Sequence, residues 1–165
     1  MKNKHNSSQF ISILAQDQLM HCYENDELTK TYFVSTGKKG LGEQTGSECT
    51  PRGWHRVHSI IGKENAMNSV FVSRRWTGEI YSNELAAEFP ERDWILTRIV
   101  RLDGLEPGRN KGGQVDSLER YIYIHGTPDT TPLGKTGSHG CVRMRNADII
   151  ELADWVEIDC RVCIE

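Results

Sequence analysis

Two short stretches of the chain carry residues able to do covalent chemistry: YIYIHG, which ends in His125 and Gly126, and SHGCVRM, which runs from Ser138 to Met144. A free thiol with a pKa of ~8.5 is only slightly ionised at neutral pH, and a neighbouring imidazole raises its thiolate fraction and can later return the proton. Cys141 follows His125 by 16 residues, and the intervening GTPDTTPLGKTG carries prolines and glycines that let the chain double back. The two are expected to meet, with Cys141 as nucleophile and His125 as proton acceptor and donor. Gly140 lets a substrate carbonyl approach the main chain, and N–H groups around Gly140 and Cys141 could receive an oxyanion. A second expected advantage for the thiol is a helix N-terminus near Asn146, if it points at the sulfur. Arg143 falls on the same side of an extended segment as Cys141 and is expected to hold a substrate carboxylate. Ser138 reads as a turn hydroxyl and His139 as a supporting residue, since an extended chain holds residues 139 and 141 apart.

Taken singly, each of these residues has a plainer reading. His125 could be a strand-end histidine bonded to a carbonyl, Cys141 a small core residue and Arg143 a surface arginine.

The elements that must position them are mostly strands. KTYFVSTG, SVFVSRRW, DWILTRIVRL and ERYIYIHG are rich in aromatic and β-branched residues, and FISILA alternates Ile11 and Ile13 with Ser12 as a first strand. In YIYIH, Tyr121, Tyr123 and His125 share one face, which delivers the imidazole to a rim where Gly126 begins a turn. The clearest helix is NADIIELADWV, with Asn146 as N-cap and Ile149, Leu152, Ala153 and Val156 on one face. Asp103 to Gln114, glycine-rich and polar, reads as a long loop able to act as a lid. The expected fold is mainly β, a sandwich or open barrel with one flanking helix near the C-terminus.

The 165 residues suit one domain, with residues 1–9 as a flexible start. With 20 basic and 23 acidic residues, a net charge of -3 and no run of cations interleaved with aromatics, nucleic-acid binding has no electrostatic footprint. No stretch approaches the ~20 apolar residues of a membrane span. The N-terminal apolar run is too short for a secretion signal and is followed by no small-residue cleavage site, so a cytoplasmic location is expected. Five irregularly spaced cysteines suit a reducing compartment better than a disulfide framework. In EIDCRVCIE, Cys160 shares a strand face with Ile158, Val162 and Ile164 while Cys163 faces away, so the pair is expected to be structural.

Three rival functions are weaker. His125, His139, Cys141, His55 and His58 supply zinc-ligand types without a recognisable spacing, and no metal or other cofactor is expected. STGKKGLGEQTG follows a strand but lacks the phosphate-loop and dinucleotide patterns, and Lys38 and Lys39 read as part of a hairpin turn. A non-catalytic binding module would not need both His125 and Cys141.

Taken together, HGTPDTTPLGKTGSHGCVRM resembles the signature of the L,D-transpeptidase (YkuD-type) catalytic domain family, a histidine followed a loop's length later by Ser/Thr-His-Gly-Cys. The resemblance extends to VSTGKKGLGEQTG and NADIIELADWV and covers nearly the whole chain from Ile11. Some members carry asparagine where this chain has Arg143, a common variant, and most are exported. The resemblance implies a YkuD-like fold, Cys141 as nucleophile, His125 as acid and base, and Ser138, His139 and Gly140 shaping the oxyanion pocket. Arg143 and Gly126 are assigned to substrate binding; Trp76, Arg98, Arg109 and Lys111 are weaker candidates. The implied substrate is the tetrapeptide stem of peptidoglycan, whose terminal D-alanine is expelled from the L-centre of diaminopimelate as a thioester forms. Water as acceptor gives an L,D-carboxypeptidase, the expected activity, trimming soluble muropeptides during cell-wall recycling. An amine acceptor gives 3→3 cross-links or D-amino acid exchange.

Overall fold

The computed structural model describes residues 8–165. Ten strands make one sheet: β1 (Gln9–Leu14), β2 (Leu19–Glu24), β3 (Glu27–Ser35), β4 (Gly53–Ile61), β5 (Ser69–Val72), β6 (Arg75–Ile80), β7 (Ile95–Gly104), β8 (Tyr123–Thr127), β9 (Val142–Arg145) and β10 (Arg161–Ile164). They follow the order β4-β10-β1-β2-β3-β9-β8-β7-β5-β6, and a further pairing of β4 with β7 closes the first eight into a barrel. The β5–β6 hairpin projects from the wall beside β7. Pairing is antiparallel except for β1 with β10 and β8 with β9. The mainly β expectation holds.

Alternation fills the barrel. Ile11, Ile13, Met20, Val34, Val57, Val100, Leu102, Ile124, Val142, Met144, Val162 and Ile164 form one buried cluster. Helix α2 (Asn146–Trp155) adds Ile149 and Leu152 to that core and lies against β7 and β8. Each fully buried Ile or Leu contributes roughly 1.5–3 kcal/mol relative to exposure, so this cluster dominates the stability of the wall that carries the site. A short helix α1 (Asn83–Glu88), capped by the Ser82 hydroxyl, was not expected from the sequence. Among the described residues, no helix is long and apolar enough to cross a membrane.

Several local expectations are corrected. Residues 1–7 of the expected flexible start lie outside the described residues, and Gln9 already belongs to β1. Its amide donates to the Trp155 carbonyl at 2.7 Å and its side-chain oxygen accepts from the Glu157 N–H at 2.9 Å. SVFVSRRW is not one strand: the chain reverses at Ser73 and Arg74, whose φ values of 49° and 65° are those of a tight hairpin turn. Tyr121 falls outside β8 in a left-handed conformation with φ 58°. Gly126 is no turn residue, because β7 and β9 pair on both of its sides through Leu96 and Met144. Arg145, not Asn146, occupies the N-cap of α2. Cys160, Val162 and Ile164 are buried together with Cys163 half-buried opposite, as the alternation predicts, but Ile158 is exposed because the chain turns at Asp159 before β10 begins.

Candidate active site

The parallel pairing of β8 with β9 sets the two reactive side chains on the wall of one cavity. Its register sets Ile124 beside Val142 and His125 beside Arg143, so Cys141, the residue just before β9, arrives next to Tyr123. The Sγ atom accepts from the Tyr123 N–H at 3.3 Å and its S–H donates to the Tyr121 carbonyl at 3.3 Å. The left-handed backbone of Tyr121, uncommon for a bulky residue, stands at the carbonyl that takes this bond. Helix α2 begins only after the whole of β9. At ~3.3 Å per residue its N-terminus lies more than 10 Å of chain from the sulfur, beyond the reach of a helix-end effect.

The turn before the thiol is braced from the segment between β3 and β4. The Ser138 hydroxyl donates to the Cys141 carbonyl and accepts from the Gly140 N–H at 3.2 Å. The Thr50 hydroxyl donates to the Gly140 carbonyl at 2.8 Å and accepts from the Gly37 N–H at 2.8 Å. Gly140 has φ 123°, and a Cβ there would stand 3.0 Å from the Cys49 carbonyl, so only glycine suits the position. With the Gly140 N–H engaged by Ser138, the Cys141 N–H is the better placed of the two expected oxyanion donors. Lys38 and Lys39 are the central residues of a turn closed by the Gly40 N–H on the Gly37 carbonyl at 2.9 Å, though no hairpin flanks it; the Lys38 N–H bonds the Ser138 carbonyl at 2.8 Å and Lys39 pairs with Glu48 at 2.7 Å.

His125 is buried, and its Nδ1 lies 2.7 Å from the Gly126 carbonyl. A carbonyl can only accept, so Nδ1 carries the proton and the neutral ring keeps a bare Nε2. Gly126 therefore orients the imidazole and does not line the cavity. A Cβ on it would meet Asn146 Oδ1 and the Leu96 carbonyl, each at 2.5 Å. Asn146 is fixed there by Thr97, Asn68 and Asp129.

Burial pushes the Cys141 thiol up to about 11 and the Asp93 carboxylate adds to this, against the lowering effects of the Tyr123 N–H, Arg143 and Arg120. Burial likewise holds the His125 imidazole below its ordinary value, outweighing the Gly126 bond and Asp93. Both shifts favour a neutral thiol and a neutral imidazole at rest, against the raised thiolate fraction expected from sequence.

Arg143 does not present itself to a ligand. One end of its guanidinium donates to the Gly137 carbonyl at 3.0 Å and the other to Asp93 at 3.1 Å. His139, largely exposed, approaches the other Asp93 oxygen at 3.4 Å. Burial alone would raise the Asp93 carboxyl, but His125, Arg143 and His139 together hold it below its usual range.

Cys141 and His125 open on one cavity of about 370 Å³, whose walls also include Ser138, His139, Asp93, Arg74, Arg120, Tyr121 and Tyr123. No residue of the expected lid from Asp103 to Gln114 lines it. Asp103 and Gly104 end β7, and the buried Asn110 pins the following loop through the Arg52 and Trp54 carbonyls, each at 3.0 Å. Trp76, Arg98, Arg109 and Lys111 also stand away from the cavity: Arg98 is buried against backbone carbonyls, Arg109 pairs with Glu106 and Lys111 with Asp103. His55 is taken up by Ser117 and the Gly53 carbonyl.

The cations at the cavity are two arginines that sequence reasoning missed. Arg120 serves the frame, donating to the Gly42, Glu43 and Cys49 carbonyls. Arg74, at the tip of the β5–β6 hairpin, donates to the Tyr123 hydroxyl at 3.1 Å and lies 4.6 Å over the Tyr121 ring.

A family model described as the L,D-transpeptidase catalytic domain, YkuD, matches residues 8–164. The YkuD protein of Bacillus subtilis (strain 168) is 46% identical over 61 residues, a stretch covering 34% of this chain and 37% of that protein. Among solved structures, an L,D-transpeptidase from Mycobacterium smegmatis superposes with a TM-score of 0.59 at 19% identity, covering 96% of this chain and 59% of its own. L,D-transpeptidase 3 from Mycobacterium tuberculosis, in complex with a faropenem-derived adduct, gives a TM-score of 0.61 at 16% identity, covering 96% of this chain and 60% of its own. At these identities the structural likeness shows the fold.

Proposed function

Since the chain belongs to the L,D-transpeptidase catalytic domain (YkuD) family, we propose that Cys141 and His125 break the bond before the terminal D-alanine of a peptidoglycan tetrapeptide stem. As the sulfur attacks the carbonyl of the diaminopimelate L-centre, the thiol proton passes to Nε2 of His125. The S–C bond forms, the C–N bond breaks, and the imidazolium returns its proton to the leaving amine of D-alanine. The Cys141 N–H stabilises the oxyanion, with Ser138 and Gly140 holding the turn that aims it. The observation that carries this reading is the Nδ1–H bond of His125 to Gly126 in the cavity that holds the thiol, because it leaves Nε2 as the base.

Water then resolves the thioester, His125 again acting as base, and the product is a tripeptide. What supports this L,D-carboxypeptidase fate is the open mouth of the cavity, where Tyr121 and His139 are both exposed and water needs no second binding site. A role in trimming soluble muropeptides in the cytoplasm is part of the same proposal, supported by the odd, irregular set of five cysteines. A second reading is amine transfer. It is favoured by an adjoining cavity that shares Arg120, Tyr121 and His139 and carries Glu119, a carboxylate suited to a cationic amine, beside Glu48, which Lys39 already holds.

Incubation with a soluble tetrapeptide ending in D-alanine separates the two. Tripeptide accumulation is expected; cross-linked dimers or exchange with an added D-amino acid would replace hydrolysis by transfer. Faropenem is expected to add covalently to the native protein and not to Cys141→Ala.

A further inference from the structure

We propose that Arg74 is the residue that reads the free C-terminal carboxylate of the substrate, and so confines cleavage to the last bond of the stem. This rests on the reading of the cavity as a peptide-cleaving site. Tyr121 and Tyr123 flank the thiol through their main chains, its bonds running to the Tyr121 carbonyl and the Tyr123 N–H. Arg74 is clamped by the side chains of the same two residues, through the Tyr123 hydroxyl and the face of the Tyr121 ring. Its guanidinium is thus set about one tyrosine side chain from the sulfur. A peptide residue advances the chain by ~3.8 Å, so the carboxylate within reach is that of the residue just past the scissile carbonyl.

Three features mark this arginine as a receptor for an anion. Among the described residues no carboxylate pairs with it, while Asp93, the carboxylate on the cavity wall, is already engaged by Arg143 and His139. Its contacts with Tyr123 and Tyr121 leave most of its five N–H donors unused, and the planar fork suits bidentate capture of a carboxylate. The cation–π contact fixes the charge in place without neutralising it. Arg120, by contrast, gives its donors to main-chain carbonyls. The position is also one that glycine or asparagine would occupy more readily, because φ is 65° at the second residue of the turn.

The test compares a tetrapeptide ending in D-alanine with its C-terminal amide, in the wild type and in Arg74→Gln and Arg74→Gly; the glycine variant suits the turn and guards against misfolding. Turnover is read as kcat/KM, and binding is read by calorimetry in a Cys141→Ala background. A charge-assisted hydrogen bond to a carboxylate predicts that the wild type prefers the free acid by about 10- to 100-fold. That preference is expected to collapse toward unity in both variants, chiefly through KM. A preference that survives in both variants overturns the proposal, as does a wild type that binds acid and amide equally or binds neither. The binding arm separates the two levels: acid preference that depends on Arg74, without release of D-alanine by the wild type, leaves Arg74 as a carboxylate receptor and defeats the cleavage reading.

Discussion

The neutral resting state of Cys141 and His125 predicts an unusual alkylation profile. With the thiol moved from 9.0 to about 11, its thiolate fraction at pH 7 falls from roughly 1 in 100 to roughly 1 in 10,000, equivalent to about 3 kcal/mol. A more basic thiolate is also a better nucleophile, with a Brønsted slope of ~0.4–0.5, which recovers somewhat under tenfold. Iodoacetamide should therefore modify Cys141 about tenfold more slowly than an ordinary thiol at pH 7, with the rate still rising past pH 10. The rate is read by mass spectrometry of the peptide containing residue 141. His125→Ala should leave that profile nearly unchanged, because a neutral imidazole contributes no charge to the thiol, while turnover falls ~10²–10⁴-fold for want of a base. An inflection below pH 8 that disappears in His125→Ala would refute the reasoning, since it would mean a preformed thiolate–imidazolium pair.

Gly126→Ala should lower stability by ~1–3 kcal/mol, because its Cβ meets a main-chain carbonyl and a fixed asparagine. In a chain of this size that is a drop of about 3–10 °C in Tm, accompanied by loss of activity as His125 shifts; an unaltered Tm with full turnover contradicts it. Arg143→Ala should reduce kcat more than it raises KM, since the guanidinium orders Asp93 and Gly137, and a pure KM effect would restore it as a substrate contact. Burial holds the His55 imidazole down at about 4 against an ordinary 6.5. The unfolded chain takes up that proton first, so this contribution to stability is complete above pH 6.5 and fades as the pH falls toward 4. Urea midpoints should drop by roughly 3 kcal/mol in equivalent free energy across that window, and an NMR titration of the His55 ring near or above 6.5 would show the burial argument to be wrong.

The chemistry was legible because it lies in contiguous sequence. One crossover joins His125 to Cys141, and parallel pairing of the strands on either side turns that spacing into proximity. Alternation likewise exposed the core faces of β1 and β10, and helical periodicity that of α2. What stayed hidden depends on distant partners. The Ser73–Arg74 turn contains no glycine, proline or asparagine, so nothing local marked the reversal that carries Arg74 to the cavity. Asp93 lies in PERDW and gains its place only where Arg143 and His139 meet it. Arg143 was read as a free cation because its spacing from Cys141 says which side it occupies and not what already holds it. Gly126 was read as a turn for its residue type, whereas close packing by Asn146 and Leu96 is what requires the missing side chain.

The most direct measurement is mass spectrometry of the purified protein with a soluble tetrapeptide ending in D-alanine, beside Cys141→Ala. The wild type is expected to release D-alanine through a transient adduct at Cys141 and to accumulate tripeptide, while the variant stays folded and inert. Substantial D-alanine release by Cys141→Ala would contradict the account at its centre.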